Sequence, residues 1–295
     1  MRVTNKLMAD TVASDLSKSI QRLLKTQTML ASGKRINAPS DDPIGMGKVL
    51  NYRTTISAIE QYTRNIAHGK SWLSATDSAL GAIDELLTRA KELATSQATE
   101  TATAQTRAIA ATEVKNIYDQ IVQFANTTVE NSHIFAGHKT DAAPFTRDAA
   151  YNVTYSGDAG DIPITVGEDV TLTVNETGGE AFMTGSNIFD TLRDLINGLE
   201  NDDTAAISNQ LTPLDNGLSQ VLGARAETGA RLNRLETTEN YFANFKLNVS
   251  QRLSGVEDTD IAQATTDLVT LQAGYQAALA SAASVIQPSL LDFLK

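Results

Sequence analysis

The sequence predicts a mainly α protein made of long helices. Its two ends pair as a coiled coil, a second helical domain lies between them, and a small β-rich insert forms the far tip. Three observations predict this class. The terminal segments share an apolar repeat of 3.5 residues, the central segments keep helical spacing, and the stretch from Pro144 to Thr184 changes to a period of two.

The terminal repeats step alternately by four and three residues, which is the pattern of a helix that packs along another helix. At the N-terminus the positions are Ala9, Ala13, Leu16, Ile20, Leu23, Gln27 and Leu30. At the C-terminus they are Ile261, Ala264, Leu268, Leu271, Tyr275, Ala278, Ala282 and Val285. The ends are also complementary in charge, because residues 1–45 hold seven Lys or Arg against four Asp or Glu, and residues 250–295 hold two against five. We predict that they pair; the alternative is that each stripe is a core face of a globular helical domain.

The C-terminal stretch carries a second apolar line beside this seam. Its positions are Val269, Gln272, Leu279, Ala283 and Ile286, next to several Ala, Gly and Ser residues. A helix that is apolar over so wide an arc is buried on several sides. One partner helix covers only one side, so we expect neighbouring subunits to cover the rest.

The central chain divides into helical and β-rich parts. Helical spacing runs from residue 44 to about residue 136, and alternation of apolar residues with threonines around Val170 predicts a hairpin with a turn at residues 167–169. Asn187 is placed to cap the helix that follows. We predict three domains, which are residues 1–42 with 252–295 (paired termini), 43–140 with 186–251 (central helices) and 141–185 (β-rich insert).

The composition and motifs of the sequence argue against most kinds of binding site and against catalysis. The net charge of −11 and scattered basic residues argue against nucleic acid, and the absence of cysteine excludes disulfides and thiolate sites. The stretch GMGKV at residues 45–49 lacks the spacing of a phosphate-binding loop, and His133 and His138 lack the spacing of a zinc motif. We therefore predict no enzyme activity, no cofactor and no metal. No run is apolar enough for membrane insertion, and the first ten residues lack the apolar region of a cleaved signal peptide.

The stretch SGKRINAPSDDP at residues 32–43 concentrates charge and helix breakers. Gly33 suits the left-handed cap at the end of one helix, and Pro43 suits the first turn of the next. The four charged residues of this joint loop are Lys34, Arg35, Asp41 and Asp42. Their order places cations at a helix C-terminus and carboxylates at a helix N-terminus, which explains each residue type without catalysis. We expect the cations to face the carboxylates of the same or a neighbouring chain.

The end of the chain is too apolar for a free tail and too short to form a core. After Pro288 it reads SLLDFLK, and its large apolar side chains include Leu290, Leu291 and Phe293. Such a segment needs a partner to cover it.

Several stretches resemble the flagellin superfamily along nearly the whole chain. They are LASGKRINAPSDDPIGMG at residues 30–47, NSHIFAG at 131–137, GARAETGARLNRLE at 223–236, SGVEDTDIAQATTDL at 254–268 and SLLDFL at 289–294. The SGKRIN and PSDDP segments are closer to the hook-associated branch of the superfamily than to flagellin, which usually has SGLRIN and DDAAG. The resemblance implies that the paired termini form an inner coiled-coil domain and that the central helices form a rod-like domain. It also implies that the β-rich insert, the variable part of such families, faces outward at the tip.

The resemblance implies a structural role in the bacterial flagellum. A ring of like subunits would join the hook, through the first hook-associated protein, to the flagellin filament. The chain would be exported to the cell exterior by the flagellar type III apparatus without a cleaved signal, after a cytoplasmic export chaperone has held its C-terminal helix. Two alternatives stay open: a short flagellin that forms the filament itself, and an enzyme or adhesive module whose activity lies in the β-rich insert.

Overall fold

The protein is built mainly from long helices. The structure, a computed structural model, describes the backbone of residues 2–291 and the side chains of residues 7–283. The helices are α1 (Arg2–Ser32), α2 (Pro43–Gln97), α3 (Ala104–Ala125), α4 (Gly178–Phe182), α5 (Ile188–Glu200), α6 (Thr204–Asn209), α7 (Leu211–Glu257) and α8 (Ile261–Leu291). The strands are β1 (Thr128–Val129), β2 (Ser132–His133), β3 (Phe145–Arg147), β4 (Val153–Tyr155), β5 (Pro163–Gly167) and β6 (Val170–Thr173). The predicted mainly α class is confirmed.

The chain divides into two compact units. Unit 1 comprises residues 1–58 and 244–295, and unit 2 comprises residues 59–243. Unit 1 consists of two separate stretches of the sequence, and unit 2 is the single stretch between them. Both α2 and α7 therefore begin in one unit and end in the other. The three predicted domains have different bounds, because they place residues 43–58 and 244–251 with the central helices and separate residues 141–185. That division stays a prediction.

Unit 1 contains the paired termini. α1 packs along α8, so the predicted pairing of the two terminal segments is confirmed. The contact is thin, because α8 buries only Ala264 and Ala282 among its described side chains. Alanine at these positions lets two helix backbones approach closely but removes little apolar surface from water.

Unit 2 contains the main core, and α2 supplies its longest apolar row. The buried residues Ile59, Ile66, Leu73, Leu80, Leu87 and Ala94 follow one another at intervals of seven. α7 has a similar row, from Leu214 and Val221 through Leu235. Ion pairs from Lys70 to Glu239 at 2.7 Å and from Arg225 to Asp77 at 3.1 Å show that the two helices run antiparallel.

An aromatic cluster fills the part of unit 2 between the helices and the short strands. Tyr118 of α3 contacts Phe189 of α5 edge to face, with ring centroids 6.0 Å apart. Phe145 of β3 lies 5.2 Å from Phe189 and 5.7 Å from Phe182. Such pairs favour one arrangement of rings, so they fix how the strands sit on the helices.

The predicted hairpin at residues 163–173 is confirmed. β5 pairs antiparallel with β6, with Ile164 opposite Leu172, and Asp169 in the turn has a positive φ of 55°. Its inner side chains Val166 and Leu172 join the core that α2 and α7 form through Ile66 and Leu235. A hairpin of this size has no core of its own, so the helices stabilise it.

The prediction of helix from residue 44 to about residue 136 is wrong in two places. α2 ends at Gln97, and α3 begins after Thr103, whose side chain and Thr106 cap each other's backbone. Beyond α3, β1 and β2 form a two-stranded hairpin with residues 130 and 131 at positive φ. The threonine-rich stretch at residues 99–103 competes with helix through side-chain hydrogen bonds to its own backbone. The predicted cap at Asn187 is confirmed, because its side chain accepts hydrogen bonds from Phe189 and Asp190 N–H.

Candidate assembly surface and joint

The predicted seam of α1 is only partly covered. Leu16, Leu23 and Leu30 are half-buried against the paired helix, whereas Ile20 is 39% exposed. No side chain of α1 from residue 7 onward is fully buried. A helix of this length packed so lightly in one chain has apolar surface left for another.

The predicted seam of α8 shows the same partial burial. Leu268, Leu271 and Tyr275 are half-buried, and Ile261 at the start of the helix is 52% exposed. Val285 belongs to the helical backbone of α8, but its side chain lies outside the described residues.

The side of α8 away from this seam is exposed and almost without charge. Val269 is 60% exposed and Leu279 is 44% exposed, with exposed Gln272 and Ala283 on the same line. Asp267 is the single charged residue in the sequence of Ile261–Leu291. We call the line Val269, Gln272, Leu279 and Ala283 the outer face of α8. A helix that faces only water normally carries charged residues on its outer side, so this composition is typical of a helix that other chains cover.

The joint loop, residues 33–42, is fastened to residues 256–259 by backbone hydrogen bonds. Gly33 ends the helical run with φ +71°, which confirms the predicted left-handed cap. Its carbonyl accepts a hydrogen bond from Thr259 N–H at 3.0 Å, and Arg35 N–H donates to the carbonyl of Glu257 at 2.6 Å. Lys34 and Asp258 form an antiparallel bridge pair. The two stretches of chain that join the terminal helices to α2 and α7 are therefore bonded to each other.

Glu257, the last residue of α7, supplies the buried charge of the joint. Its side chain is only 4% exposed, and its Oε1 lies 2.6 Å from Lys34 Nζ and also pairs with Arg53 of α2. A buried carboxylate is stable only when cations and hydrogen bonds compensate it, and here the joint loop and α2 each contribute one cation. Sequence reasoning missed this residue, because the cations that pair with it are more than 200 positions away.

The four charged residues predicted for the joint loop form ion pairs with several different partners. Arg35 lies 3.6 Å from Asp42, as expected, and also donates a hydrogen bond to the carbonyl of Val256 at 2.8 Å. Lys34 instead pairs with Glu257, and Asp41 pairs with Lys25 of α1 at 3.0 Å.

The two carboxylates of the loop have different tasks. Asp41 accepts hydrogen bonds from the backbone N–H groups of Asn37 and Ala38, at 3.1 and 3.0 Å. The Lys25 ammonium and these N–H groups lower the pKa of Asp41 below its ordinary value. Asp42 caps α2, because its side chain accepts a hydrogen bond from Gly45 N–H at 2.8 Å.

Ile36 anchors the loop in the hydrophobic interior of unit 1. It is 3% exposed and packs against Gly45 so closely that a Cβ at Gly45 would lie 2.6 Å from Ile36 Cδ1. A side chain at position 45 would therefore require the Ile36 and Asp42 side chains to move, so glycine suits the close approach of the loop to the first turn of α2. The predicted terminal residues Leu290, Leu291 and Phe293, in contrast, have side chains outside the described residues.

The described part of the chain contains no group of three His, Cys, Asp or Glu residues arranged to hold a metal ion. Among the same residues, no helix is both long enough and apolar enough to cross a membrane.

Comparison with known families matches most of the chain. The family model described as the bacterial flagellin N-terminal helical region matches residues 3–140, and the one described as the bacterial flagellin C-terminal helical region matches residues 211–294. The segment between the two matches carries the β3–β4 and β5–β6 strand pairs.

Individual relatives agree over nearly their full length. The chain is 28% identical to flagellar hook-associated protein 3 of Escherichia coli (strain K12), over 94% of this chain and 96% of that protein. It is 25% identical to flagellin of Bacillus subtilis (strain 168), over 96% of each. A solved chain from Vibrio parahaemolyticus, described as a flagellar hook-associated protein, is 29% identical, with a TM-score of 0.69 over 74% of this chain and all of that one. The chain therefore belongs to the flagellin superfamily, as a flagellar structural protein of the hook-associated protein 3 kind.

Proposed function

We propose that this protein joins the flagellar hook to the flagellin filament as a ring of like subunits. On the hook side it meets the first hook-associated protein, and on the filament side it meets flagellin. The observation that carries the proposal is the outer face of α8, which is exposed, apolar at Val269 and Leu279, and nearly free of charge. A single copy of the chain leaves this face in water.

Coverage of that face by neighbouring chains gives assembly its driving force. Burial of apolar surface contributes about 25 cal/mol per Å², and small residues such as Ala273, Gly274 and Ala277 allow close approach of helices. One charged residue in α8 keeps the desolvation cost of packing low, since few ionised groups must leave water. The helix is thus suited to contacts on several sides, as the wall of a tube requires.

The joint loop sets the direction in which the paired termini leave α2 and α7. Backbone bonds between residues 33–35 and 257–259, together with the Glu257 ion pairs, couple the two connections so that neither bends alone. A ring that contacts two different neighbours needs subunits of one shape. The joint provides this by holding the two connections in one arrangement in every subunit.

Export and delivery complete the proposal. The subunit leaves the cell through the flagellar type III apparatus without a cleaved signal, and an export chaperone covers its C-terminal helix in the cytoplasm. The same apolar residues that pack in the tube wall need protection before assembly. Chaperone binding and subunit packing therefore exclude each other.

Complementation of a strain that lacks the gene tests the proposal. The double variant Val269→Ser with Leu279→Ser should secrete the chain but leave hooks without filaments, and flagellin should appear in the medium. Ile109→Ser is the matched control, because Ile109 is equally exposed, at 62%, but lies on α3 of unit 2. Normal filaments on cells with the double variant would refute the role of the outer face.

Immunogold labelling separates the junction role from that of a short flagellin. The B. subtilis flagellin similarity makes this the competing function. A junction protein gives one label per flagellum, where the hook meets the filament. Label along the whole filament would establish the alternative.

A further inference from the structure

The segment that links β6 to α4 in unit 2 is polar and yet buried. Asn175, Glu176 and Thr177 are 2%, 7% and 4% exposed. The Asn175 amide accepts a hydrogen bond from Ile162 N–H and donates one to the carbonyl of Gly160, both at 2.7 Å. These bonds tie the segment to the chain that leads into β5.

One guanidinium fastens the segment to α7. Arg231 donates a hydrogen bond to the carbonyl of Asn175 at 2.7 Å and lies 3.3 Å from the Glu176 carboxylate. It also donates to Glu227 at 3.1 Å. Arg231 therefore divides its hydrogen bonds between the Glu227 carboxylate and a backbone carbonyl, and it forms an ion pair with Glu176.

The remaining charges near Glu176 have the same sign as its carboxylate. They are Glu227 on α7, Glu180 on α4 and Asp161 before β5. An ionised Glu176 is thus poorly compensated by the charges around it. Burial of the Thr177 hydroxyl adds a separate unfavourable contribution, because within the described part of the chain its Oγ1 has no hydrogen-bond partner.

We propose that Glu176 makes the attachment of the β5–β6 hairpin and α4 to α7 sensitive to pH, tight when its carboxyl group is protonated and looser when it is charged. The protonated group has no ionic desolvation cost, and Arg231 is then left to Glu227 and the Asn175 carbonyl. The charged group must share Arg231 with Glu227 in a buried setting.

The strength of this attachment changes between weakly acidic and neutral pH. Burial raises the pKa of Glu176 from 4.5 to about 7, and Arg231 opposes that rise. Between pH 4.5 and about pH 7, Glu176 is therefore protonated in the attached state and ionised in the detached state. The attachment weakens as pH rises from about 4.5 to about 7, and above that range it remains at its weaker level.

Amide hydrogen exchange on the full chain at pH 5 and pH 8 tests this proposal. We expect the protection factors of residues 162–182 to be at least about tenfold higher at pH 5, since each unit of pKa shift corresponds to a factor of about ten. In Glu176→Gln the side chain stays neutral, so protection should be the same at both pH values. Glu168→Gln is the matched control, because Glu168 is exposed in the turn of the same hairpin and is not among the charges near Glu176, and it should keep the wild-type pH dependence.

The wild-type chain alone decides the main question, even if the Gln variant packs poorly. Equal protection of residues 162–182 at both pH values in the wild type would overturn the proposal. A pH dependence that survives in Glu176→Gln, or disappears in Glu168→Gln, would assign the effect to another group and overturn the proposal equally.

Discussion

Glu257 shows how one side chain can govern a joint between long helices. Its buried carboxylate forms ion pairs with Lys34 of the joint loop and Arg53 of α2. Its backbone carbonyl accepts hydrogen bonds from backbone N–H groups of the loop. Both cations keep a good part of their surface in water, at 39% and 49% exposure. Loss of the carboxylate therefore releases cations that can rehydrate, and the main consequence is a loosened joint.

Replacement of Glu257 by Gln should free the loop without unfolding the chain. We expect the Arg35 and Thr259 amides, which bridge the two connections, to exchange at least about tenfold faster, because a charge-assisted hydrogen bond contributes about 1.5–3 kcal/mol. Hydrogen exchange with residue resolution measures this. Glu239→Gln is the control, since Glu239 pairs with Lys70 in unit 2. Unchanged Arg35 and Thr259 amides in Glu257→Gln would contradict the role assigned here.

At the scale of elements, unit 2 depends on long-range clamps as well as on apolar rows. Arg107 of α3 is 4% exposed and donates hydrogen bonds to the carbonyls of Gln97 and Thr99, at 3.1 and 2.9 Å. It also pairs with Asp202 in the loop before α6. One guanidinium thus holds the α2–α3 connection against the α5–α6 connection.

Replacement of Arg107 by Met should lower the free energy of unfolding by about 2–4 kcal/mol, because two carbonyls and a carboxylate lose their shared donor. Denaturant unfolding followed by circular dichroism measures this change. Arg89→Met is the matched control on the neighbouring helix. Arg89 is half exposed, at 52%, and its replacement should lower stability much less, because water screens the ion pair that it forms with Glu113. Equal losses in the two variants would mean that burial of Arg107 adds nothing.

The paired terminal helices should be the least protected helices of the free chain. Residues 7–30 and 261–283 bury few side chains, whereas α2 buries an unbroken row from Ile59 to Ala94. We expect amide exchange in α1 and α8 to be faster by orders of magnitude than in that part of α2, because local opening exposes little apolar surface. Assembly should then slow it. Strong protection of both terminal helices in the monomer would refute this expectation.

At the scale of the whole molecule, most of the exposed apolar surface and most of the buried core belong to different stretches of the chain. Most of the buried large side chains belong to residues 59–243, and most of the exposed large apolar ones belong to residues 1–58 and 244–295. This separation lets a chain fold before it finds its neighbours. It also leaves the apolar ends in need of partners.

The last apolar residues give a prediction for the assembled flagellum. Replacement of Leu290, Leu291 and Phe293 by Ser should leave the residue 59–243 unit folded, because its core lies elsewhere, and should weaken both chaperone binding and assembly at the hook tip. Motility, filament counts and a chaperone pull-down measure these effects. Thr265→Ser with Thr270→Ser, two exposed positions on α8, is the control. Motile cells with normal filaments from the triple variant would make this segment a dispensable tail.

The sequence by itself determined the features that depend on neighbours along the chain. The seven-residue rows, the cap at Asn187, the Gly33 helix end and the β5–β6 hairpin all follow from local spacing and backbone preference. The pairing of the two ends was also predictable, because a repeat of 3.5 residues at both termini requires a partner helix.

Only the tertiary structure decided which charges meet. Lys34 was expected to face the carboxylates a few positions later, but it pairs with Glu257, and Asp41 pairs with Lys25. Neither the Arg107 clamp nor the Glu176 segment has a local signature. The physical reason is that a charge–charge contact depends on distance in space and on burial, and at separations of tens to hundreds of residues both are set by how the helices pack.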